Sequence, residues 1–87
     1  MKPGSVIFAK CTWSMDVPSS GIDGISFDTR DCARLERFVV LTESFHIRDQ
    51  YISTLVMGSN RIESITMWCT SMKAYKQKFV QYFKEVA

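Results

Sequence analysis

Whatever chemistry this chain performs falls to a few aromatic, imidazole and thiol side chains. Trp13, Tyr51, Trp68 and Tyr75 are the candidate ligand contacts. Indole faces pack on planar or apolar molecules, and phenol hydroxyls orient them. The competing account of each ring is a core or interface aromatic, with a wet tip where it carries a hydroxyl. His46 is the candidate for proton transfer, because an unperturbed imidazole titrates near neutrality. At the end of a helix it would instead act as a C-terminal cap. Cys11, Cys32 and Cys69 are candidate nucleophiles only if a base or a helix N-terminus lowers a thiol pKa. Otherwise a cysteine is a small buried apolar side chain. The carboxylates Asp16, Asp23, Asp28 and Asp31 are irregularly spaced, so loop solvation or capping explains them without a metal. The sequence contains no Gly-rich phosphate loop, HExxH or GxSxG. No metal and no cofactor are expected.

These residues must be positioned by a chain of 87 residues, the length of one domain. A single domain over 1–87 is expected, with a core small enough that a dimer would usefully bury more surface. Ser5 to Met15 alternates as a strand, and its first half is apolar on both faces: Ile7 and Ala9 on one, Val6 and Phe8 on the other. Both faces are therefore expected to be covered there, one by the domain's own helices and one by a second subunit. Asp16 to Asp28 reads as a loop by composition, with residues 24–27 as an optional short edge strand. Thr29 to Phe45 reads as a helix, capped by Asp28 and striped by Cys32, Leu35, Phe38, Val39, Thr42 and Phe45. The rival is a buried strand over 38–42, where β-branched residues crowd. Gln50 to Met57 and Arg61 to Trp68 alternate around Gly58-Ser59-Asn60, which predicts a hairpin. Ser71 to Glu85 predicts a second helix, with Met72, Tyr75, Phe79, Phe83 and Val86 at three- and four-residue steps. The expected order is β-loop-α-β-β-α.

The stretch from Tyr51 to Phe83 resembles the dimeric α+β barrel superfamily, the ferredoxin-like group that contains the antibiotic-biosynthesis monooxygenases. The matching pattern is a hairpin whose second strand, Arg61 to Met67, ends in Trp68. A small polar linker, Cys69-Thr70-Ser71, and a helix opening Met72-Lys73-Ala74-Tyr75 follow it. The resemblance implies an α+β fold: an antiparallel sheet packed on two helices, with the fourth strand absent or supplied by residues 24–27 or a partner. It also implies a homodimer made by sheet-to-sheet packing. Its enzymes oxygenate small aromatic molecules without metal or flavin. A haem-degrading branch carries a histidine where this chain has Lys78, so haem is not implied.

Charge excludes little. The net +2 is too weak to point to nucleic acid, although residues 46–87 carry six basic and three acidic side chains. The lysines of the last helix suit a solvated surface, and nucleic acid is not an expected partner. No signal peptide and no apolar run of membrane-spanning length is visible, and three scattered cysteines fit a reducing compartment. The expected location is cytoplasmic, with no membrane partner. Two functions remain. One is a homodimeric binder of a small apolar or aromatic molecule, with the oxidative chemistry the resemblance implies. The other is a non-enzymatic interaction or regulatory module that uses an open sheet edge or face.

Overall fold

The computed structural model describes residues 2–21 and 24–86, and the side chains of all of these except 18–21 and 24–26. Among the described residues the chain forms eight strands and one helix. These are β1 (Val6–Ala9), β2 (Trp13–Gly21), β3 (Gly24–Cys32), β4 (Arg37–Val40), β5 (Phe45–Arg48), β6 (Tyr51–Met57), β7 (Ile62–Trp68), α1 (Met72–Tyr82) and β8 (Phe83–Glu85). The strands make a single antiparallel sheet in the order β3-β2-β7-β6-β4-β1-β8, with β5 also paired to β6.

Two hairpins generate this order. The first is long and bent. β1 pairs with β4 and β2 with β3 in one unbroken register, from Val6 opposite Val39 to Gly21 opposite Gly24. Its two halves lie at opposite ends of the sheet order, so it wraps around the second hairpin. β4 pairs with β6 on one side, and β2 meets β7 at Asp16 and Thr66 on the other. The second hairpin is β6–β7, with Met57 opposite Ile62 and Tyr51 opposite Trp68. The sheet therefore rolls around one core.

That core comes from alternate strand positions and from the helix. Ile7, Met15, Phe38, Val40, Ile52, Val56 and Ile65 point inward, and Tyr75, Phe79 and Phe83 enter from the α1–β8 segment. Ser71 caps α1 by accepting the Ala74 N–H at 3.2 Å. Lys10 closes the other end: its backbone N–H donates to the Tyr82 carbonyl and its Nζ to the Val80 carbonyl. A cation suits the negative end of the helix dipole. Burying the Phe79 ring contributes about 2–3 kcal/mol to this docking.

The fold corrects several expectations. It is mostly β with one helix, not a ferredoxin-like α+β sheet on two helices. The resemblance to the dimeric α+β barrel superfamily, with the barrel architecture it implied, is overturned with it. Residues 29–45 form no helix; they complete β3 and make β4 and β5. Along β4, Arg37 and Val39 are exposed while Phe38 and Val40 are buried, a period of two that favours the strand alternative there. The loop expected over 16–28 is mostly hairpin; residues 22 and 23 lie outside the described residues. The first strand breaks at 10–12, where the long hairpin bends. The β6–β7 hairpin forms as expected, and α1 stops at Tyr82 because Phe83–Glu85 turns extended to pair with β1.

Candidate functional site

The structure distributes the candidate ligand rings over three places. Tyr75 is buried inside the rolled sheet. Trp13 is half-buried at the α1–β8 junction, stacked on Tyr82 at 4.1 Å and edge-on to Phe83; its indole Nε1 is buried without a hydrogen-bond partner. Tyr51 and Trp68 do meet, as direct cross-strand partners on the outer face. Tyr51 stacks on Phe27 at 4.2 Å, and the exposed Trp68 donates Nε1–H to Gln50. His46 is exposed on β5 opposite Ile52, not at a helix end. Cys32 and Cys69 are buried and Cys11 is exposed, all three as free thiols. Burial, reinforced by the Glu36 charge, pushes the Cys32 thiol up to about 11, the opposite of an activated nucleophile. Among the described residues no cluster of metal-ligating side chains is present.

The largest feature that sequence reasoning left unassembled is an outward apolar surface. Register carries one row straight across four strands and on to Val86, the residue after β8. Val39 lies between Val6 and Met57, and Met57 lies opposite Ile62. At the other end Val86 donates its N–H to the Val6 carbonyl at 2.8 Å. Val39 is 37% exposed, Met57 38%, Ile62 59% and Val86 38%. Leu41 and Leu55, joined by a backbone bond of 2.8 Å, extend the band on one side. On its other side Phe8 lies between Arg37 and Lys84. A depression of about 300 Å³, lined in part by Val6, Arg37, Val39 and Met57, opens within the band. The only signal for this surface in the sequence was the doubly apolar first strand; the other members come together through pairings between distant segments.

Three exposed cations edge the band. Arg37 and Lys84 are exposed along one side, and exposed Arg61 adjoins Ile62 at the end. None of the residues named in the three rows is acidic. Glu36 also lines the depression and exposed Glu85 lies between Lys84 and Val86, while Glu36 and Glu63 are engaged by Arg30. Arg30 pairs with Glu36 and, through Nε at 2.6 Å, with Glu63, while its guanidinium lies over the Phe38 ring at 5.6 Å. The Glu36 hydrogen bond, partly opposed by burial, holds the Arg30 pKa above its ordinary value. Gly58 makes room for this cluster, since a Cβ there would collide with the Glu63 carboxylate.

Comparison with protein-family models, with curated proteins and with solved structures gives no match. No helix among the described residues is long and apolar enough to cross a membrane.

Proposed function

We propose that this chain is a non-enzymatic protein-interaction module. Its working surface is the outer face of β8-β1-β4-β6-β7, and its partner is a polypeptide segment in which apolar side chains alternate with carboxylates. The observation that carries this reading is the five-residue row Val86, Val6, Val39, Met57 and Ile62. Scattered exposed apolar residues are ordinary, but a contiguous band edged by polar groups marks an interaction surface. Arg37, Lys84 and Arg61 select the sign of the partner. A second copy docked through this face would bring its own three cations against the same border, whereas carboxylates would pair with them. Oxidation of a small aromatic molecule rested on the overturned family resemblance, and the candidate rings lie in separate places. Three free thiols fit a reducing, cytoplasmic compartment.

The test uses two synthetic peptides, one alternating leucine with glutamate and the other leucine with lysine. Fluorescence anisotropy should show the glutamate peptide binding at least about tenfold more tightly. Met57→Glu should abolish that binding while leaving the circular dichroism unchanged, because Met57 is already partly exposed. A joint Arg37→Glu and Lys84→Glu variant should reverse the preference. Equal affinities, or glutamate-peptide binding that survives Met57→Glu, would reject the reading. A stable homodimer that Met57→Glu dissociates would replace the acidic partner with a second copy.

A further inference from the structure

A second site lies away from the apolar band, where the sheet is deformed beneath α1. Between Val40 opposite Val56 and Phe45 opposite Ser53, the β4–β5 side holds two more residues than β6. The two extra residues fall within Thr42-Glu43-Ser44. The Leu55 N–H is answered by Thr42 Oγ1 at 3.3 Å, and Ser44 is left facing Thr54 and the helix. Bulges of this kind re-aim side chains and recur beside binding sites.

The hydroxyls at this point have a forced direction. Tyr75 OH lies 2.8 Å from the Ile65 carbonyl, which can only accept, so the phenol proton is committed there. Burial pushes the phenol pKa up, so the proton stays in place. Thr54 Oγ1, at 2.7 Å, must then donate to Tyr75. Ser44 Oγ, also at 2.7 Å, must in turn donate to Thr54. Ser44 therefore offers the adjoining cavity lone pairs and no proton. That cavity, of about 180 Å³, is walled by Tyr75, Phe79 and Val80 as well as Ser44, Thr54 and Lys76. It shares Ser44 and Lys76 with a neighbouring depression of about 320 Å³, which adds Lys2, Glu43 and Met72. An apolar chamber with the Ser44 acceptor and Lys76 at its rim thus opens beside Lys2 and Glu43.

We infer that this cavity binds the zwitterion of a small apolar α-amino acid. The aliphatic side chain enters against Phe79 and Val80. The ammonium donates to Ser44 Oγ and pairs with Glu43, and the carboxylate pairs with Lys76 and Lys2. An uncharged apolar molecule would leave the charged end unused. A simple amine or a simple carboxylate would satisfy one sign and face the other unpaired.

Isothermal titration of the full chain with L-leucine, 4-methylpentanoate and 3-methylbutylamine tests the assignment. The last two have a similar apolar body but each lacks one charge. L-leucine is expected to bind at least about tenfold more tightly than either. Ser44→Ala should weaken L-leucine by about five- to tenfold. Val80→Glu, at an exposed helix position that tolerates the change, should abolish binding while leaving the circular dichroism unchanged. Equal binding of 4-methylpentanoate would show a site for simple anionic amphiphiles and overturn the assignment. So would undetectable leucine binding by the folded wild-type chain, or binding unaffected by Val80→Glu.

Discussion

Arg30 is opposite buried Met15, on the inward side of its hairpin, and a cation is tolerated there because its surroundings answer it. Glu36 and Glu63 accept its hydrogen bonds, and the Phe38 ring lies beneath its guanidinium. Burial alone would raise the Glu36 pKa, but the Arg30 hydrogen bond, the Ala33 N–H and the Arg30 charge together hold it below the ordinary glutamate value. A carboxylate depressed in the folded state contributes stability above its unfolded pKa of about 4.3, and that contribution is lost as pH falls through the folded value. Glu36→Gln should therefore cost about 1 kcal/mol at pH 6, discounted for partial exposure. The variant should also lose less stability than the wild type between about pH 5 and pH 2. Urea unfolding across that range measures both effects. Parallel pH profiles would show that Glu36 does not contribute this acid dependence.

The elements explain what sequence could and could not reveal. At the bend of the long hairpin, Ala33 to Glu36 closes a four-residue turn through the Glu36 N–H and the Ala33 carbonyl. Leu35 sits there at φ 71°, in the left-handed region that leucine disfavours, with its side chain largely exposed. Leu35→Gly should consequently leave stability unchanged or raise it by up to about 1 kcal/mol, and Leu35→Val should lower it by about 1 kcal/mol. Thermal unfolding of the two variants decides it; a large loss with glycine would mean the exposed side chain makes a stabilising contact. This turn also hid the strands of 29–45. The turn at 33–36 and the excess residues at 42–44 break the pairing into short strands of four residues each, too short for the period of two to stand out. The apolar spacing from Cys32 to Phe45 then imitates a helix behind the apparent cap Asp28. The β6–β7 hairpin was legible because its alternation is uninterrupted and Gly58-Ser59-Asn60 marks its turn. Residues 16–28 read as loop because Pro, Ser and Gly dominate them. Their strand character comes from pairing with each other, and Pro18 lies on a stretch of β2 paired only with β3, where a missing N–H is tolerated. The apolar band was half-legible: Val6 and Phe8 announced an outward apolar face. Val39, Met57, Ile62 and Val86 joined it only through pairings that local pattern does not encode. The Ser44 site was not legible, since it depends on a bulge and on Tyr75 reaching across the core.

At the scale of the whole molecule, one rolled sheet keeps its two candidate surfaces distinct. The inner face is filled by the core and plugged by α1, and the Ser44 cavity lies at the helix–sheet seam. The outer face carries the apolar band, whose burial against a partner would compensate for the modest core that a chain of this length can form. Either surface can be blocked without the other, by Met57→Glu on the band or Val80→Glu at the seam, so each assignment stands or falls alone. The most direct measurement of the interaction account is a two-dimensional ¹H–¹⁵N spectrum of the labelled chain, titrated with the alternating leucine–glutamate peptide. The account predicts that the amides of Val6, Val39, Met57, Ile62 and Val86 shift together along one saturable curve that weakens with added salt. Shifts confined to the β3 edge or to the α1 seam, or no shifts at all, would contradict it.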